Sequence, residues 1–406
     1  MAPSANERPA LLRARRRSTS PNSDKLLHLT LWIGTQIGAF LLDEAAVHLP
    51  LGTHFGVARA GRGQRAGDDD GQAGERPDRL SFDLRDFDET LRGPFEWDLK
   101  RYVASLVVLA RDTGVSERAA VDAVRAALRA YRERMTRYAA ASELDIWYDL
   151  VTSDQVLQNL FESEERDEAS ARLHKQARRR THTGSAPKLT RVEDGQLRII
   201  DKPPNRTRLE DLVDGPACVH IVTEALQSYR STLPYERRYL LDRFTFADAV
   251  RQVVGVGSVG MQIYLVLLEG RHGDPLFLQL KQAGPAVYEQ HLGSSPYPNH
   301  GQRVIKGKRL IQAASDVFLG WTTGGGADFY VRQFRDMKVV PDPAVIAPVL
   351  VQFADMCGVV LARAHARTGD AVAIDGYIGK GRRFDRAAQV RQQLRRPDEC
   401  GPRAAT

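Results

Sequence analysis

The stretch from Val253 to Lys281 constrains the fold of this chain more than any other part of its sequence. Within it, Gly255, Gly257 and Gly260 have the spacing G-x-G-x-x-G, in which backbone without Cβ atoms can approach a phosphate group closely. A mostly apolar, β-prone run without a helical period follows at 261–268, and a turn rich in glycine and proline ends it. The pattern predicts a strand, a glycine loop, a strand, a turn and a third strand; a surface hairpin with glycines only for tight turns is the alternative.

A strand directly after the glycines decides between two classes of nucleotide site. A dinucleotide-binding fold needs a helix at that place, whereas the glycine loop of a protein kinase joins two antiparallel strands. We therefore predict a kinase-type phosphate-binding hairpin over residues 249–281. Lys281 lies near the end of the third strand, where a kinase keeps the lysine that pairs with the α- and β-phosphates of ATP. The loop residues expected to contact the nucleotide are Gly255, Gly257, Ser258 and Gly260.

A second string with chemical potential begins at Leu80, where the sequence changes from polar to strand-like. It contains the carboxylates of Asp83, Asp86, Asp88 and Glu89 in close succession. Such a cluster suits a divalent cation bound to substrate phosphates, and a solvated acidic turn is the alternative. The hydrophobic period further predicts helices at 98–110, from Ser116 onward, at 235–244, 301–319 and 347–366, and a strand at 329–334.

The composition is typical of a globular chain. The 406 residues are 42% hydrophobic, enough for a sizeable core, and the formal net charge is +7. Acidic residues are interspersed with the arginines, which indicates a mild attraction for anionic ligands and no specific nucleic-acid surface; a basic RNA- or DNA-binding protein stays open as another function class. Because Cys218, Cys357 and Cys400 form no C-x-x-C pair, we expect a reducing cytoplasm and no zinc site.

The first 79 residues differ from the rest of the chain. An Arg/Ser/Pro-rich start at 1–25 and a Gly/Arg/Asp-rich stretch at 61–79 contain few apolar residues, and both predict disorder. Between them, the apolar run Leu26–Leu42 follows several arginines in the manner of a signal peptide, but it starts late and carries Gln36. It is also short and interrupted for a membrane span. We expect a cytoplasmic protein without a membrane partner.

With these parts placed, the chain resembles the bacterial domain of unknown function 2252 family from about residue 80 to residue 386. That family has a pattern similar to a circularly permuted aminoglycoside-kinase-like fold. The resemblance implies an α+β, two-lobed protein-kinase-like fold, in which a segment of the helical lobe precedes the β-rich nucleotide lobe. The main similar strings are FDLRDFDET at 82–90, GPFEWDLK at 93–100, VVGVGSVG at 253–260, QAASDVFLGW at 312–321, YVRQFRDMK at 330–338 and LARAHARTGD at 361–370.

The same resemblance implies roles for single residues. Asp86 would bind Mg²⁺, Asp83 would be a second metal contact, and Asp98 would be the structural anchor of a catalytic loop. Lys281 would hold the phosphates of ATP, with Glu289 as its ion-pair partner. The implied cofactors are therefore ATP and Mg²⁺, and the implied acceptor is a hydroxyl group of a small molecule or a protein.

The expected organisation follows from this order of parts. Residues 151–215, with their arginine run at 178–180, are charged and irregular in pattern, so we interpret them as a linker or insertion whose arginines form a solvated face. The expected segments are a disordered or degraded region at 1–79, a helical-lobe segment at 80–150, the linker at 151–215, a nucleotide lobe at 216–345, a return helix at 346–386 and a divergent tail at 387–406.

One part of the family pattern is missing from this chain. Before the Phe-Asp string the family carries a Cys-Gly-Asp-x-His-x-x-Asn-Phe-Gly loop, whose Asp and Asn would be the catalytic base and a metal ligand. The family spacing leads here to the region of Gln64, and the nearest likeness is Thr53-His-Phe-Gly56. We therefore expect termini that are divergent or frameshifted, and a kinase-like phosphotransferase scaffold that binds ATP without turnover; a pseudokinase-type interaction module is the alternative.

Asp370 is a competing candidate for a catalytic aspartate. The string His-Ala-Arg-Thr-Gly-Asp at 365–370 superficially resembles a catalytic loop. A kinase loop, however, places an Asn about five residues after the Asp, and none follows here. We therefore interpret Asp370 as a residue at a helix end.

Overall fold

The computed structural model describes residues 27–30, 55–59, 80–254, 260–334, 337–339, 341–379 and 384. Within these residues, helices alternate with an antiparallel sheet and smaller two-stranded sheets, which confirms the α+β class. The Gly/Arg-rich stretch 61–79, the tail 387–406 and most of the first 54 residues lie outside the described residues.

The helices begin at positions that the local sequence explains. The Ser116 side chain accepts a hydrogen bond from Ala119 N, and Ser142 and Thr152 each form a reciprocal capping box, as expected for these N-cap residue types. The α-helices are α1 (Phe95–Asp112), α2 (Glu117–Tyr138), α3 (Glu143–Tyr148), α4 (Ser153–Leu160), α5 (Ser163–Arg179), α6 (His182–Leu189), α7 (Gly215–Tyr229), α8 (Tyr235–Leu241), α9 (Glu289–Leu292), α10 (His300–Ile311), α11 (Pro343–Ile346), α12 (Leu350–Thr368) and α13 (Ala371–Ile378).

The strands include the three that the glycine pattern predicts. β8, β9 and β10 follow one another along the chain and pair antiparallel, with the glycine loop between the first two. The strands are β1 (Leu27–Thr30), β2 (Phe55–Arg59), β3 (Leu80–Leu84), β4 (Leu91–Pro94), β5 (Thr190–Glu193), β6 (Gln196–Ile199), β7 (Arg206–Arg208), β8 (Phe244–Gln252), β9 (Ile263–Gly270), β10 (Pro275–Ala283), β11 (Gly320–Gly324) and β12 (Ala327–Gln333).

The chain divides into two compact units. Of the described residues, the helical unit contains 27–30, 92–149 and those from 342 onward, and the sheet unit contains those within 31–91 and 150–341. In the helical unit, α12 packs along α2, and α1 joins them through a hydrogen bond from Tyr102 Oη to Ala354 O at 2.9 Å. Burial of the apolar stripes of these helices stabilises the unit, at about 1.5–3 kcal/mol for each large apolar side chain that is fully buried.

The sheet unit is organised around six strands in the order β11-β12-β10-β9-β8-β7. Alternate side chains of β10 enter two different cores, because successive residues of a strand point to opposite faces. Leu276, Leu278 and Leu280 pack with apolar residues of α7, whereas Phe277 packs with Leu189 and Ile199. Both faces of the central strands are therefore covered, which explains why β9 reads as a continuous apolar run.

Two predicted helices end earlier than their sequence patterns suggest. The helix predicted at 301–319 ends at Ile311, because the next residues bond to β3: Gln312 Nε2 donates to Leu84 O at 2.7 Å, and Ala313 N donates to an Asp83 oxygen. The helix predicted at 235–244 ends at Leu241, and Phe244 instead begins β8. In both cases pairing with a distant strand overrides a helical period.

The prediction of an irregular segment at 151–215 is wrong at the level of secondary structure. This segment contains α4, α5, α6 and β5, β6 and β7, with α7 beginning at its end. Its few apolar residues supply the packing, since Val156, Leu189 and Ile199 are buried while the charged side chains lie mostly outward. A high charge content hid short amphipathic elements in this part of the chain.

One helical stretch has the composition of a membrane span. Pro343–Thr368 is long and apolar enough to cross a bilayer, and half of its most apolar window is buried inside the fold. Among the described residues, it is the stretch that meets this test. One such helix is weak evidence of a membrane span, because the core helix of a soluble protein passes the same test.

Candidate functional site

The hairpin predicted within residues 249–281 is present as a pair of long antiparallel strands, β8 and β9. Gly255, Gly257 and Ser258 lie outside the described residues, but Gly260, at the end of the loop, is exposed and has a φ of 83°. Only glycine adopts this left-handed backbone without strain. Lys281 follows on β10, opposite Ile263 of β9 and Tyr330 of β12.

Lys281 makes an ion pair with the acidic string. Its Nζ lies 3.0 Å from Asp88 Oδ2, and it stands 5.2 Å from the centre of the Tyr330 ring. The Lys281 side chain is 16% exposed and the Asp88 side chain 40% exposed. The structure thus brings together the predicted lysine and the predicted carboxylate string, through a residue that the sequence did not single out for this contact.

The pair shifts the pKa values of both groups toward the charged forms. Burial raises the pKa of Asp88, but the charge of Lys281 and hydrogen bonds from Tyr330 and Lys281 lower it more, so that it lies below its ordinary value. Burial lowers the pKa of Lys281, but the charge of Asp88 together with the charge and hydrogen bond of Tyr330 outweighs that effect, so that the pKa lies above its ordinary value. Asp86 is close enough for its charge to act on Asp88. Both partners are therefore charged at neutral pH.

A tight turn presents these carboxylates. Phe87 is buried, and both the backbone N–H and the hydroxyl of Thr90 donate to Phe87 O, which closes the turn. Asp86 is exposed and has a φ of 58°, a conformation that aspartate tolerates better than most residues. Arg303, itself buried, donates to Thr90 O at 2.8 Å and fixes the end of the turn.

Asp83 does not join Asp86 and Asp88 at this place. It is buried in β3, where its Oδ1 accepts from Leu84 N at 2.8 Å and its Oδ2 accepts from Ala313 N at 2.9 Å. Backbone donors therefore occupy both oxygens, and the side chain holds the start of the acidic string in place. In this arrangement Asp83 supports the backbone, and its geometry gives no support to the second metal contact expected there.

Glu289 also has a different partner from the one expected. Its Oε1 accepts from Ala286 N at 3.0 Å and lies 4.0 Å from Arg303 Nε. Lys281 instead pairs with Asp88, because the turn after β3 brings that carboxylate to the end of β10. Glu89 is anchored nearby by Val287 N, and burial is the main cause that raises its pKa.

The sequence did not lead us to predict a row of polar side chains next to Lys281. Gln279 is fully buried; its Nε2 donates to Gln252 Oε1 at 2.7 Å, and its Oε1 accepts from Arg332 Nη2 at 2.8 Å. Arg206 lies opposite Gln252, and its buried Nη1 has no hydrogen-bond partner among the residues that the structure describes. Residues opposite each other share a face, so the row lies on the Lys281 face. The sequence signal for this row is that Gln279 and Lys281 occupy alternate positions in the mostly apolar strand LFLQLKQ at 276–282.

The strand before the acidic string pairs with β2. Phe55 stands opposite Leu84, and Gly56 stands opposite Asp83. The family-like string Thr53-His-Phe-Gly56 therefore leads directly into a strand beside the carboxylates, although its first two residues, like Gln64, lie outside the described residues.

Asp98 and Asp370 lie in the helical unit. Asp98 is fully buried; its Oδ2 is 3.2 Å from His365 Nε2, and His365 Nδ1 is 2.8 Å from Tyr131 Oη. Arg101 also contacts Asp98, at 3.1 Å. Asp370 Oδ1 accepts from Val372 N and Ala373 N and so caps α13, as expected for a helix end.

The described residues contain no group of three or more His, Cys, Asp or Glu side chains arranged to hold a metal ion. The comparisons with known proteins give one match. The sequence model of a family described as "uncharacterized protein conserved in bacteria (DUF2252)" matches residues 71–392. Neither the comparison with curated proteins nor the comparison with solved structures finds a match.

Proposed function

This chain belongs to the bacterial DUF2252 family, and from that membership we propose that it is a kinase-like protein that binds ATP together with Mg²⁺. The fold proposed with this function is two-lobed and circularly permuted, since the carboxylate string precedes the glycine hairpin in sequence. The reaction class of such a scaffold is phosphoryl transfer to a hydroxyl group of a small molecule or protein.

The ion pair between Lys281 and Asp88 carries the proposal. It joins a lysine at the end of a glycine hairpin to a carboxylate that comes from a part of the chain almost half its length away. Each group can exchange its partner for a ligand, because a phosphate oxygen suits the ammonium and a metal ion suits the carboxylate. The pair is partly exposed, so that this exchange does not require the core to open.

The carboxylates present fit Mg²⁺ in the presence of a nucleotide. Mg²⁺ is usually bound by one or two carboxylates together with substrate phosphates, so a complete cage of protein ligands is unnecessary. Asp86, which is exposed, and Asp88 would supply those carboxylates, while Asp83 would not. When bound, the ion would neutralise part of the phosphate charge.

We expect nucleotide binding without efficient phosphoryl transfer. Strand β2 begins at Phe55, and the residues directly before it read Leu-Pro-Leu-Gly-Thr-His at 49–54, without an Asp or an Asn. A kinase-like scaffold without these groups lacks both the base that accepts the hydroxyl proton and one metal ligand. Such losses commonly lower the rate by several orders of magnitude.

Thermal unfolding of the full chain with and without Mg-ATP tests the binding step. The double variant Lys281→Gln/Asp88→Asn removes both charges and retains a hydrogen bond, so the fold should survive. We expect its affinity for Mg-ATP to fall at least tenfold, equivalent to about 1.4 kcal/mol. Lys100→Gln, at an exposed lysine of α1, is the control and should leave the affinity unchanged.

Two results would contradict the proposal. Failure of the intact, folded chain to bind Mg-ATP would remove it, and so would a double variant that binds as tightly as the parent. Omission of Mg²⁺ should weaken binding in the parent. Mass spectrometry of ATP incubated with the protein and candidate hydroxyl acceptors should detect no phosphorylated product above background; efficient transfer would show that another group serves as the base.

A further inference from the structure

A basic pocket lies between α5 and α6, in the sheet unit and apart from Lys281 in sequence. It has a volume of about 550 Å³, within the range of small-molecule sites. Its lining residues are Ala171, His174, Lys175, Arg178, Arg179 and Gly184. No carboxylate lines it.

The cationic lining is a single stripe of α5. The α5 residues in the lining occupy positions i, i+3, i+4, i+7 and i+8, which lie on one side of a helix. The stripe carries three permanent positive charges, at Lys175, Arg178 and Arg179, and a histidine. These three cationic residues are exposed, whereas the buried residue of α5 is Ala177, which does not line the pocket. Like charges at this spacing repel each other, and an anion in the pocket would offset that repulsion.

The other arginines of the same helix are neutralised. Arg172 pairs with Glu168 at 2.8 Å, and Arg166 lies 4.0 Å from Asp167. In the part of the chain that the structure describes, Lys175, Arg178 and Arg179 have no carboxylate within ion-pair distance. The interaction of basic residues with the carboxyl end of a helix explains Arg178 and Arg179 in the last turn, but it does not explain why the charges that face the pocket are the unpaired ones.

The opposite wall of the pocket is the first turn of α6. Gly184 packs against the end of α5 so closely that a Cβ atom would lie 2.4 Å from Arg178 O. The Thr181 hydroxyl caps this turn by accepting from Gly184 N at 2.9 Å. The amino end of a helix carries a partial positive charge, so both walls of the pocket favour the same kind of ligand.

From these observations we propose that the pocket binds a small ligand with two or more phosphate groups. Several phosphates are needed to match the three permanent charges. A concave pocket lined by no Phe, Tyr or Trp lacks the stacking surface on which single-stranded nucleic acid binds, which favours a small ligand over RNA. In this proposal Arg178 and Arg179 bind a ligand, whereas the sequence alone favoured a solvated face for the arginine run.

Titration calorimetry with inorganic tripolyphosphate tests this proposal. The full chain with Lys281→Gln serves as the parent, so that binding at the nucleotide site contributes little. In this parent, Lys175→Ala/Arg178→Ala should weaken tripolyphosphate binding at least tenfold. Arg166→Ala/Arg172→Ala removes the same charge from the same helix and should change binding less than twofold. All substituted residues are exposed or half-buried, so unfolding midpoints should stay similar.

The outcomes separate the proposal from its alternatives. No binding of tripolyphosphate by the folded parent overturns it, as does an equal loss in both double variants, which would indicate general charge attraction. Tighter binding of a short single-stranded RNA than of tripolyphosphate, lost in the pocket variant, would replace the small ligand by nucleic acid. Binding here is independent of ATP binding at Lys281, so either can fail alone.

Discussion

Each unit contains a cluster of charged side chains, and the two clusters differ in how far their side chains are exposed to solvent. In the sheet unit, Lys281 and Asp88 form a pair whose side chains are 16% and 40% exposed. In the helical unit, Asp98 and His365 form a pair with no exposed side-chain surface. A partly exposed pair can exchange a partner for a ligand at small cost, whereas a buried pair loses much when either member goes. These exposures are consistent with the ligand binding proposed for the first cluster and with structural support in the second.

The side chains of the helical cluster are linked by a chain of hydrogen bonds. It runs from Arg101 and Asp98 to His365 and on to Tyr131, and the rings of Phe95 and Tyr131 pack beside it. Burial is the main cause that raises the pKa of Tyr131, with the charges of Asp98 and Glu96 acting in the same direction. The tyrosine consequently remains a neutral hydrogen-bonding group. This arrangement agrees with the expected role of Asp98 as an anchor, a role that stays a prediction.

The largest change in the free energy of unfolding is expected when the buried cluster of the helical unit is broken. Asp98→Ala leaves His365 and Arg101 without their carboxylate in the core, and we expect the free energy of unfolding to fall by about 3–5 kcal/mol. Urea denaturation measures it. Asp122→Ala on α2 is the matched control, because Asp122 and its partner Arg125 are exposed and such pairs contribute about 0–1 kcal/mol. Equal losses in the two variants would refute the structural role of the buried cluster.

An intermediate effect is expected at the loop beside the exposed cluster. Gly260→Ala places a Cβ on a residue with a φ of 83° and should cost about 1–2 kcal/mol, although no atom stands within 4 Å of that Cβ. Gly284→Ala is the control, because it also has open space but no left-handed backbone. Its unfolding midpoint should stay near that of the parent. If Gly260→Ala left the free energy of unfolding unchanged, the loop would adopt another backbone conformation at this residue without cost.

The smallest effect is the pH dependence of the exposed pair. Asp88 has a lowered pKa, so its contribution to stability is present above the ordinary value of 3.8 and is lost as pH falls through its folded pKa. Lys281 has a raised pKa, so its contribution is lost only as pH rises above the ordinary value of 10.5. Between these limits, we expect the free energy of unfolding of the parent to exceed that of Asp88→Asn by at most about 1 kcal/mol.

Unfolding by urea across this pH range measures the difference. The advantage of the parent should disappear as pH falls below 3.8 and through the folded pKa of Asp88. Glu89 acts in the opposite sense, because its raised pKa makes its contribution fall as pH rises. Glu89→Gln should therefore remove the part of the fall in stability above pH 4.5 that comes from Glu89. A constant difference between the parent and Asp88→Asn down to pH 2 would show that the pair does not stabilise the fold.

Local patterns predicted the sheet better than they predicted the site. The three strands around the glycine loop, the strand near 329–334 and the Ser116 cap appear as expected, because alternation and capping depend on neighbouring residues. The partners of Lys281, Asp83 and Glu289 could not be predicted in this way. Side-chain partners depend on which turns and strand ends the packing brings together.

The sequence by itself determined the family, the hairpin around Gly260 with Lys281 at the end of its third strand, and the carboxylate string that could meet a metal ion. These follow from glycine conformation, strand alternation and residue order, which are properties of neighbours along the chain. Only the tertiary structure decided that Asp88 pairs with Lys281, that Asp83 holds the backbone, and that the exposed basic stripe of α5 lines a pocket together with Gly184 of α6. Charge contacts fall off within a few ångströms, so spatial packing rather than sequence spacing selects them.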